Sequence, residues 1–360
     1  MVGYNIYHRR DGRFEGRISR GKQKNGRRRF HYFFGKTREE VKKKIDAHRS
    51  QVAHSYSCDM TMGEIIKKWA MTVKHNIKES TAANYRMKLD KHILPVFSER
   101  RIDAITSDEI YSFIDSKLNS GLSSRYVADI LVLLKTIFKY AVQVYHIQNP
   151  LTAVSTPKIE KTDIELLDDD QRGKLEQYIA ENPNHTTLGI GLSMVTGIRV
   201  GELCALKWED IDFKKRVMSV RKTIQRIQTP DCECKTKLII AEPKSRSSKR
   251  EIPLPECIIE FLEKFKGSAK EYVISGTDKP TEPRTMQYRF KSILKNAKLP
   301  SVHFHALRHM FATRCVKIGF DIKTLSELLG HSSVELTLKR YVHSSFERKI
   351  ECMSLVSASF

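Results

Sequence analysis

The chain has 360 residues, enough for two or three domains and well above the length at which a fold needs disulfide or metal staples. It is 40% hydrophobic and 29% charged, with a mean hydropathy of −0.44 and no apolar run near ~18 residues, which argues against a membrane span. Lys and Arg number 64 against 42 Asp and Glu, giving a net charge of +22 and a pI near 9.6; such an excess calls for a polyanionic partner, nucleic acid foremost.

Half of that excess lies in residues 1–50, which hold 16 Lys and Arg against 5 Asp and Glu. The charges are interleaved with strand and turn signals. Tyr4, Ile6 and Tyr7 precede the Asp11-Gly12 turn, Phe14 to Ile18 follow it, and a second turn over Gly21 to Gly26 leads into Arg27-Arg28-Arg29 and Phe30-His31-Tyr32-Phe33-Phe34. Thr37 and Glu40 have the spacing of a capping box, so a helix with Val41 and Ile45 on its buried side should come next. A three-stranded sheet backed by one helix and presenting Arg17, Arg27, Arg28 and Arg29 has the outline of a DNA-binding module, because strands can enter a groove as a helix can. The plainer reading is a solvated basic sheet.

Residues 50–60 are polar and read as a linker. From Met60 to Pro150 the apolar residues recur at helical spacing: Ile65, Ile66, Trp69 and Val73, then Tyr85, Leu89, His92 and Ile93. A helix begins at Thr106 to Glu109 and ends at Gly121; another opens at Ser123-Ser124 and carries Val127, Ile130, Leu131, Leu134, Ile137, Phe138 and Ala141. Four to five helices should form a compact all-α domain, closed by Asn149-Pro150. A Lys-rich linker over Ser155 to Asp163 leads to a mixed, mainly helical segment. Its helices should cover Leu167 onward and Leu188 to Val195, its strands Val217 to Ile224, Leu238 to Ala241 and Glu251 to Leu254.

The seven cysteines are odd in number and scattered, which does not suit a disulfide framework, and the first thirty residues hold no apolar stretch of signal-peptide type. The expected setting is a reducing cytoplasm. Cys232 and Cys234 lack a second cysteine pair, and His305 and His309 have no Glu between them, so neither makes a convincing zinc site.

The chemistry-bearing residues are polar ones set in apolar C-terminal helices. Arg199 and Glu202 share a turn after Thr196-Gly197, and His305, Arg308 and His309 share one helix face. Lys244 sits between two strand-like stretches, His331 follows Leu328-Leu329-Gly330, and Tyr341 comes ten residues later. Two arginines, a lysine and two histidines could surround one phosphodiester, because guanidinium forks bind phosphate oxygens and offset charge in a pentavalent transition state. A tyrosine hydroxyl, with an ordinary pKa of ~10, needs such cations and a base to act as a nucleophile. No metal is needed for that reaction. Taken singly, each of these residues is as readily structural.

The ordered set resembles the tyrosine recombinases, the phage and conjugative-transposon integrase family. The stretch Thr196-Gly197-Ile198-Arg199-Val200-Gly201-Glu202-Leu203 resembles the first arginine motif, Lys244 through Leu254 the lysine motif, and His305-Ala306-Leu307-Arg308-His309 the second arginine box. Leu328-Leu329-Gly330-His331-Ser332 and Arg340-Tyr341-Val342-His343 complete the family's order; Ser245 stands where threonine is frequent. The resemblance implies that Tyr341 attacks the scissile phosphate and keeps a 3′-phosphotyrosyl link. Arg199 and Arg308 would clamp the phosphate, His305 would move protons, His331 would stabilise the phosphate, Lys244 would protonate the leaving 5′-oxygen and Glu202 would support the site.

It also implies an arm-type DNA-binding domain at 1–52, a helical core-binding domain at 60–153 and a catalytic domain at 164–345. Residues 346–360 would dock on a neighbouring protomer, and Arg246 would add to the DNA contacts. The expected partners are double-stranded DNA at core and arm sites, a homotetramer on synapsed DNA and an accessory excision factor, with no cofactor and no membrane; the expected location is the bacterial nucleoid. A type IB topoisomerase, or a DNA-binding regulator on a retired catalytic fold, is the alternative.

Overall fold

The computed structural model describes residues 4–22, 28–55, 58–159, 165–229, 236–242, 246–341, 350 and 354, and the chain divides into two units, Met1–Lys161 and Thr162–Phe360. In the first unit, β1 (Ile6–His8), β2 (Phe14–Lys22) and β3 (Arg28–Gly35) form an antiparallel sheet in that order. Gly12 supplies the left-handed residue of the first turn at φ +79. Alternation along β2 sends Gly16 to one face and Glu15 and Arg17 to the other. On the Gly16 face lies α1 (Arg38–Ser55), whose Val41 and Ile45 are buried. A Cβ on Gly16 would come within 2.7 Å of both, so the absent side chain is what lets helix and sheet approach.

The start of α1 departs slightly from a capping box. Thr37 Oγ1 accepts the Glu40 N–H at 3.2 Å, but the Glu40 carboxylate reaches the Lys36 N–H at 2.8 Å, one residue before the cap. The helix also runs on to Ser55, through half of the stretch that reads as a linker. Residues 38–55 contain no glycine or proline, and polarity alone does not stop a helix.

The helical part of this unit follows the sequence pattern closely. Helices α2 (Met62–Val73) and α5 (Ser107–Asn119) each begin with a full capping box, Thr61 with Glu64 and Thr106 with Glu109. Between them, α3 (Glu79–Lys88) passes through a π-turn at Leu89–Ile93 into the short α4 (Leu94–Phe97). Pro95 has no N–H to give the Lys91 carbonyl, so the helical ladder is already broken where it widens. The long α6 (Ser124–Tyr145) buries Ile130, Leu134, Ile137 and Phe138 against Ile65, Trp69, Ile110 and Phe113. Leu151 and Val154 join this core, so the packed body extends a little past Pro150.

In the second unit, α7 (Asp169–Glu181), α8 (His185–Thr196) and α9 (Val200–Leu203) precede five strands: β4 (Ile211–Asp212), β5 (Val217–Val220), β6 (Thr223–Gln228), β7 (Thr236–Ala241) and β8 (Arg250–Pro253). Among the described residues the helices that follow are α10 (Glu256–Glu263), α11 (Pro283–Asn296), α12 (His305–Lys317), α13 (Ile322–Leu329) and α14 (Val334–Tyr341). The single strand expected over Val217 to Ile224 is two. β5 pairs with β4 and β8, whereas β6 pairs with β7. Met218, Val220 and Ile224 keep one inward phase across the break at Arg221-Lys222, so the periodicity carries no mark of the change of partner.

Among the described residues, no helix is long and apolar enough to cross a membrane. Gly16→Ala is expected to destabilise the N-terminal sheet by about 1–3 kcal/mol, the usual cost of overpacking. Hydrogen exchange should show α1 amides losing protection while α2 and α6 keep theirs; unchanged α1 protection would contradict the close-approach argument.

Candidate active site

Two helix ends build the site. Helix α8 stops at Gly197 (φ +62) and α13 at Gly330 (φ +62), both left-handed caps that favour glycine. The carbonyls of a last helical turn lack partners inside the helix and carry the negative end of its dipole. Here three successive ones are each taken by an arginine from a different segment. Leu328 O accepts from Arg250 Nε at 2.6 Å, Leu329 O from Arg308 Nη2 at 2.5 Å, and Gly330 O from Arg199 Nη2 at 3.1 Å. Arg308 Nη1 also donates to Gly197 O at 2.8 Å, tying the two helix ends together.

Against these three guanidiniums stands Glu202 on α9, its side chain only 4% exposed. Its Oε1 pairs with Arg199 Nη1 at 2.8 Å; its Oε2 accepts from Arg250 Nη2 at 2.9 Å and from the Arg199 main-chain N–H at 3.2 Å. Burial pushes the Glu202 carboxyl up, but Arg250 and Arg199 outweigh it and hold the group below its ordinary value. Burial, with Arg199 and Arg250 close by, pushes Arg308 down to about 9, so it stays a cation at neutral pH. Of the three, Arg308 and Arg250 are buried and Arg199, with 35% of its side chain exposed, faces outward.

Tyr341 ends α14 and is 7% exposed. Its ring lies 5.4 Å from that of His309 and 6.4 Å from that of His331, the latter with planes only 4° apart. His331 Nδ1 is 2.8 Å from the hydroxyl of Thr337, a buried residue one turn before Tyr341. Ser333 Oγ accepts the Glu335 N–H at 3.1 Å at the start of α14, so histidine and tyrosine are set by one short capped segment. His305 opens α12 and its ring lies 4.7 Å from His309, linking it to Tyr341 through a chain of rings. It also borders a cleft of about 930 Å³ whose other walls include Gln225 and Gln228 of β6 and Arg284, Gln287, Tyr288 and Lys291 of α11.

The structure thus gathers Arg199, Glu202, His305, Arg308, His331 and Tyr341. Lys244 and Arg27 lie outside the described residues, as do Cys232 and Cys234; Arg28 and Arg29 are placed in β3, and Arg246 in a short turn before β8, by their backbone. Among the described residues no group of three or more His, Cys, Asp or Glu could hold a metal. Arg17 lies on the N-terminal sheet with its guanidinium 5.1 Å from the Tyr7 ring centre and 5.6 Å from that of Tyr32. Glu15, 5% exposed, holds Arg17 and Arg9 at 2.6 Å each. Sequence reasoning passed over Arg250 and Thr337. A signal for Arg250 was present: it shares the inward phase of β8 with Ile252 and Leu254, an odd register for a cation.

Because the folded Glu202 value lies below 4.5, its contribution to stability is whole above that pH and is lost as pH falls through the folded value. Glu202→Gln is expected to destabilise the second unit by about 3–5 kcal/mol at pH 7, with the gap from wild type closing as pH drops below that window. Thermal melts from pH 7 to 3 check this, and a gap independent of pH would refute it.

Residues 165–348 match the family described as the phage integrase family, and residues 61–118 match the phage integrase N-terminal SAM-like domain. A tyrosine recombinase XerC-like protein of Caldanaerobacter subterraneus subsp. tengcongensis is 28% identical, with 95% of each chain covered. Among solved structures, the Tn1549 transposon integrase in complex with transposon right end DNA is similar with a TM-score of 0.68 at 23% identity, covering 83% of this chain and all of that one. A lambda integrase tetramer bound to a Holliday junction has a TM-score of 0.60 at 21% identity, covering 95% and 97%. With the catalytic-region match alone spanning half of its length, the chain belongs to the phage integrase family and is a tyrosine recombinase, a DNA strand transferase.

Proposed function

We propose that the pocket formed by Arg199, Arg308, His305 and His331 holds one DNA phosphodiester and that Tyr341 cuts it. The observation that carries this reading is the charge of the site: three converging guanidiniums face one buried carboxylate. Buried charge without a partner is costly, and a phosphate is the anion that guanidinium forks fit best. The Tyr341 oxygen forms a bond to phosphorus as the bond to the 5′-oxygen breaks, leaving a 3′-phosphotyrosyl link. Arg199 and Arg308 offset charge on the non-bridging oxygens, His305 moves the tyrosine proton, and Lys244 supplies one to the leaving oxygen. His331, held by Thr337, stabilises the phosphate beside the Tyr341 ring. A 5′-hydroxyl from a second duplex reverses the step, which makes the reaction strand exchange through a Holliday junction.

The transposon and lambda integrases that this chain resembles support a role in integrating and excising a mobile element, with a homotetramer as the working form. The same reading places the protein on the bacterial nucleoid, with an accessory excision factor as a partner. Residues 346–360 dock on a neighbouring protomer. The helical domain at 60–153 and the catalytic domain at 164–345, with Arg246, bind core DNA. The domain at 1–52 binds arm DNA, with Arg17 on the exposed face of its sheet and with Arg27, Arg28 and Arg29 adding to the contacts. The aromatic walls and Glu15 hold the Arg17 guanidinium in place before DNA arrives.

Incubation with a nicked suicide DNA carrying the element's end, in chelator, should give a covalent protein–DNA band on a denaturing gel, and Tyr341→Phe should abolish it. Tight DNA binding by the wild type with no such band would sink the catalytic assignment. Relaxation of supercoiled DNA lacking any such site would point to topoisomerase action instead. Arg17→Ala is expected to weaken arm-DNA binding and lower the slope of log affinity against log salt by about 1, read by gel shift across a salt series.

A further inference from the structure

Arg250 is the one arginine of the site to which the chemistry above gives no part. Its side chain is 6% exposed, and each nitrogen is engaged by a different segment: Nε by Leu328 O at 2.6 Å, Nη1 by Ser248 O at 3.1 Å and Nη2 by Glu202 Oε2 at 2.9 Å. A guanidinium so placed does not reach a phosphate; it acts on what it grips. We propose that Arg250 is a positioning residue for strand cleavage, which occupies the second oxygen of Glu202 and so keeps Arg199 open toward the scissile phosphate. The proposal rests on the recombinase reading.

The argument is one of competition for a carboxylate. Carboxylates and guanidiniums prefer paired, parallel hydrogen bonds, which use one whole edge of the fork. Glu202 and Arg199 are close enough for that, yet only Nη1 pairs, at 2.8 Å, while Arg199 Nη2 turns to Gly330 O. Glu202 Oε2 is directed instead at Arg250 and at the Arg199 main-chain N–H. Remove Arg250, and Oε2 is released to close on the Arg199 side chain, drawing the fork away from solvent and from any bound phosphate. The grip on Leu328 O also holds the end of α13 in register, two residues before the carbonyl that steers Arg199. A Cβ on Gly330 would fall 3.0 Å from Arg250 Nη1, which shows how closely the two are fitted.

The test is single-turnover cleavage of the suicide DNA by the full chain, comparing wild type, Arg250→Gln, Arg250→Lys, Glu202→Gln and the double variant Arg250→Gln/Glu202→Gln. DNA affinity and melting temperature are measured alongside. Arg250→Gln is expected to slow cleavage by about 10²-fold, the scale of a misdirected catalytic group, with DNA affinity unchanged. Arg250→Lys keeps the charge but not the three-way grip and should slow cleavage to a similar degree; it carries the test if Arg250→Gln does not fold. The decisive variant is the double one. An uncharged side chain at 202 cannot capture Arg199, so the double variant should cleave faster than Arg250→Gln alone; a merely structural pair would couple in melting temperature without that regain of rate. Wild-type rates in both Arg250 variants, or a double variant no faster than Arg250→Gln, would overturn the assignment. A wild-type chain that binds this DNA and forms no covalent product overturns the recombinase reading itself, and the role of Arg250 with it.

Discussion

The carbonyls of Leu328, Leu329 and Gly330, at the left-handed end of α13, are the constraint on which the rest of the site depends. A helix C-terminus offers acceptors that need donors and a partial negative charge that favours cations. Here it takes three arginines that are far apart in sequence: Arg199 from the start of α9, Arg250 from β8 and Arg308 from α12. Each segment is thereby located relative to the same turn of backbone, and the next residue along the chain is His331. A left-handed residue at 330 is what ends the helix there, and close contact with Arg250 leaves little space for a side chain.

That arrangement explains how the second unit can concentrate like charge in a buried place. Guanidiniums repel one another, and the low value of Arg308 reflects both that repulsion and burial. Helix-end carbonyls and Glu202 offset part of the charge and fix every fork in direction. The remainder is positive, which suits an anion arriving from outside and disfavours an empty site. Positive charge and directional control therefore come from the same atoms. Tyr341 belongs to the same construction, since α14 begins two residues after the His331-Ser332 step and ends at the tyrosine.

The N-terminal sheet solves a different problem with related means. There the cations lie on an exposed face, where salt screens them and long side chains lose entropy on ordering. Glu15 and the rings of Tyr7 and Tyr32 restrain Arg17 without burying it. The opposite face is fixed by the absence of a side chain at Gly16, which sets the distance to α1.

Local signals were legible where the physics is local. The Asp11-Gly12 turn, the helix starts at Thr106 and Ser123 and the stripe of α6 from Val127 to Ala141 depend on residues a few positions apart, and sequence order carries that information. The end of α1 was not legible, because a polar helix and a polar linker have the same composition when no glycine or proline intervenes. Nor was the split between β5 and β6, because strand partners are chosen by hydrogen bonds across the fold while the inward phase continues unbroken. For the site, the ordered motifs carried Arg199, Glu202, His305, Arg308, His331 and Tyr341 as candidates. What the sequence by itself determined about this protein was its family, most of its elements and its chemical inventory, each encoded by residue type and spacing. Only the tertiary structure decided that Arg250 holds Glu202, that Thr337 holds His331 and that three arginines converge on one helix end, since side-chain hydrogen bonds between different elements, whether six residues apart as for His331 and Thr337 or 111 as for Arg308 and Gly197, follow no repeat that sequence spacing could betray.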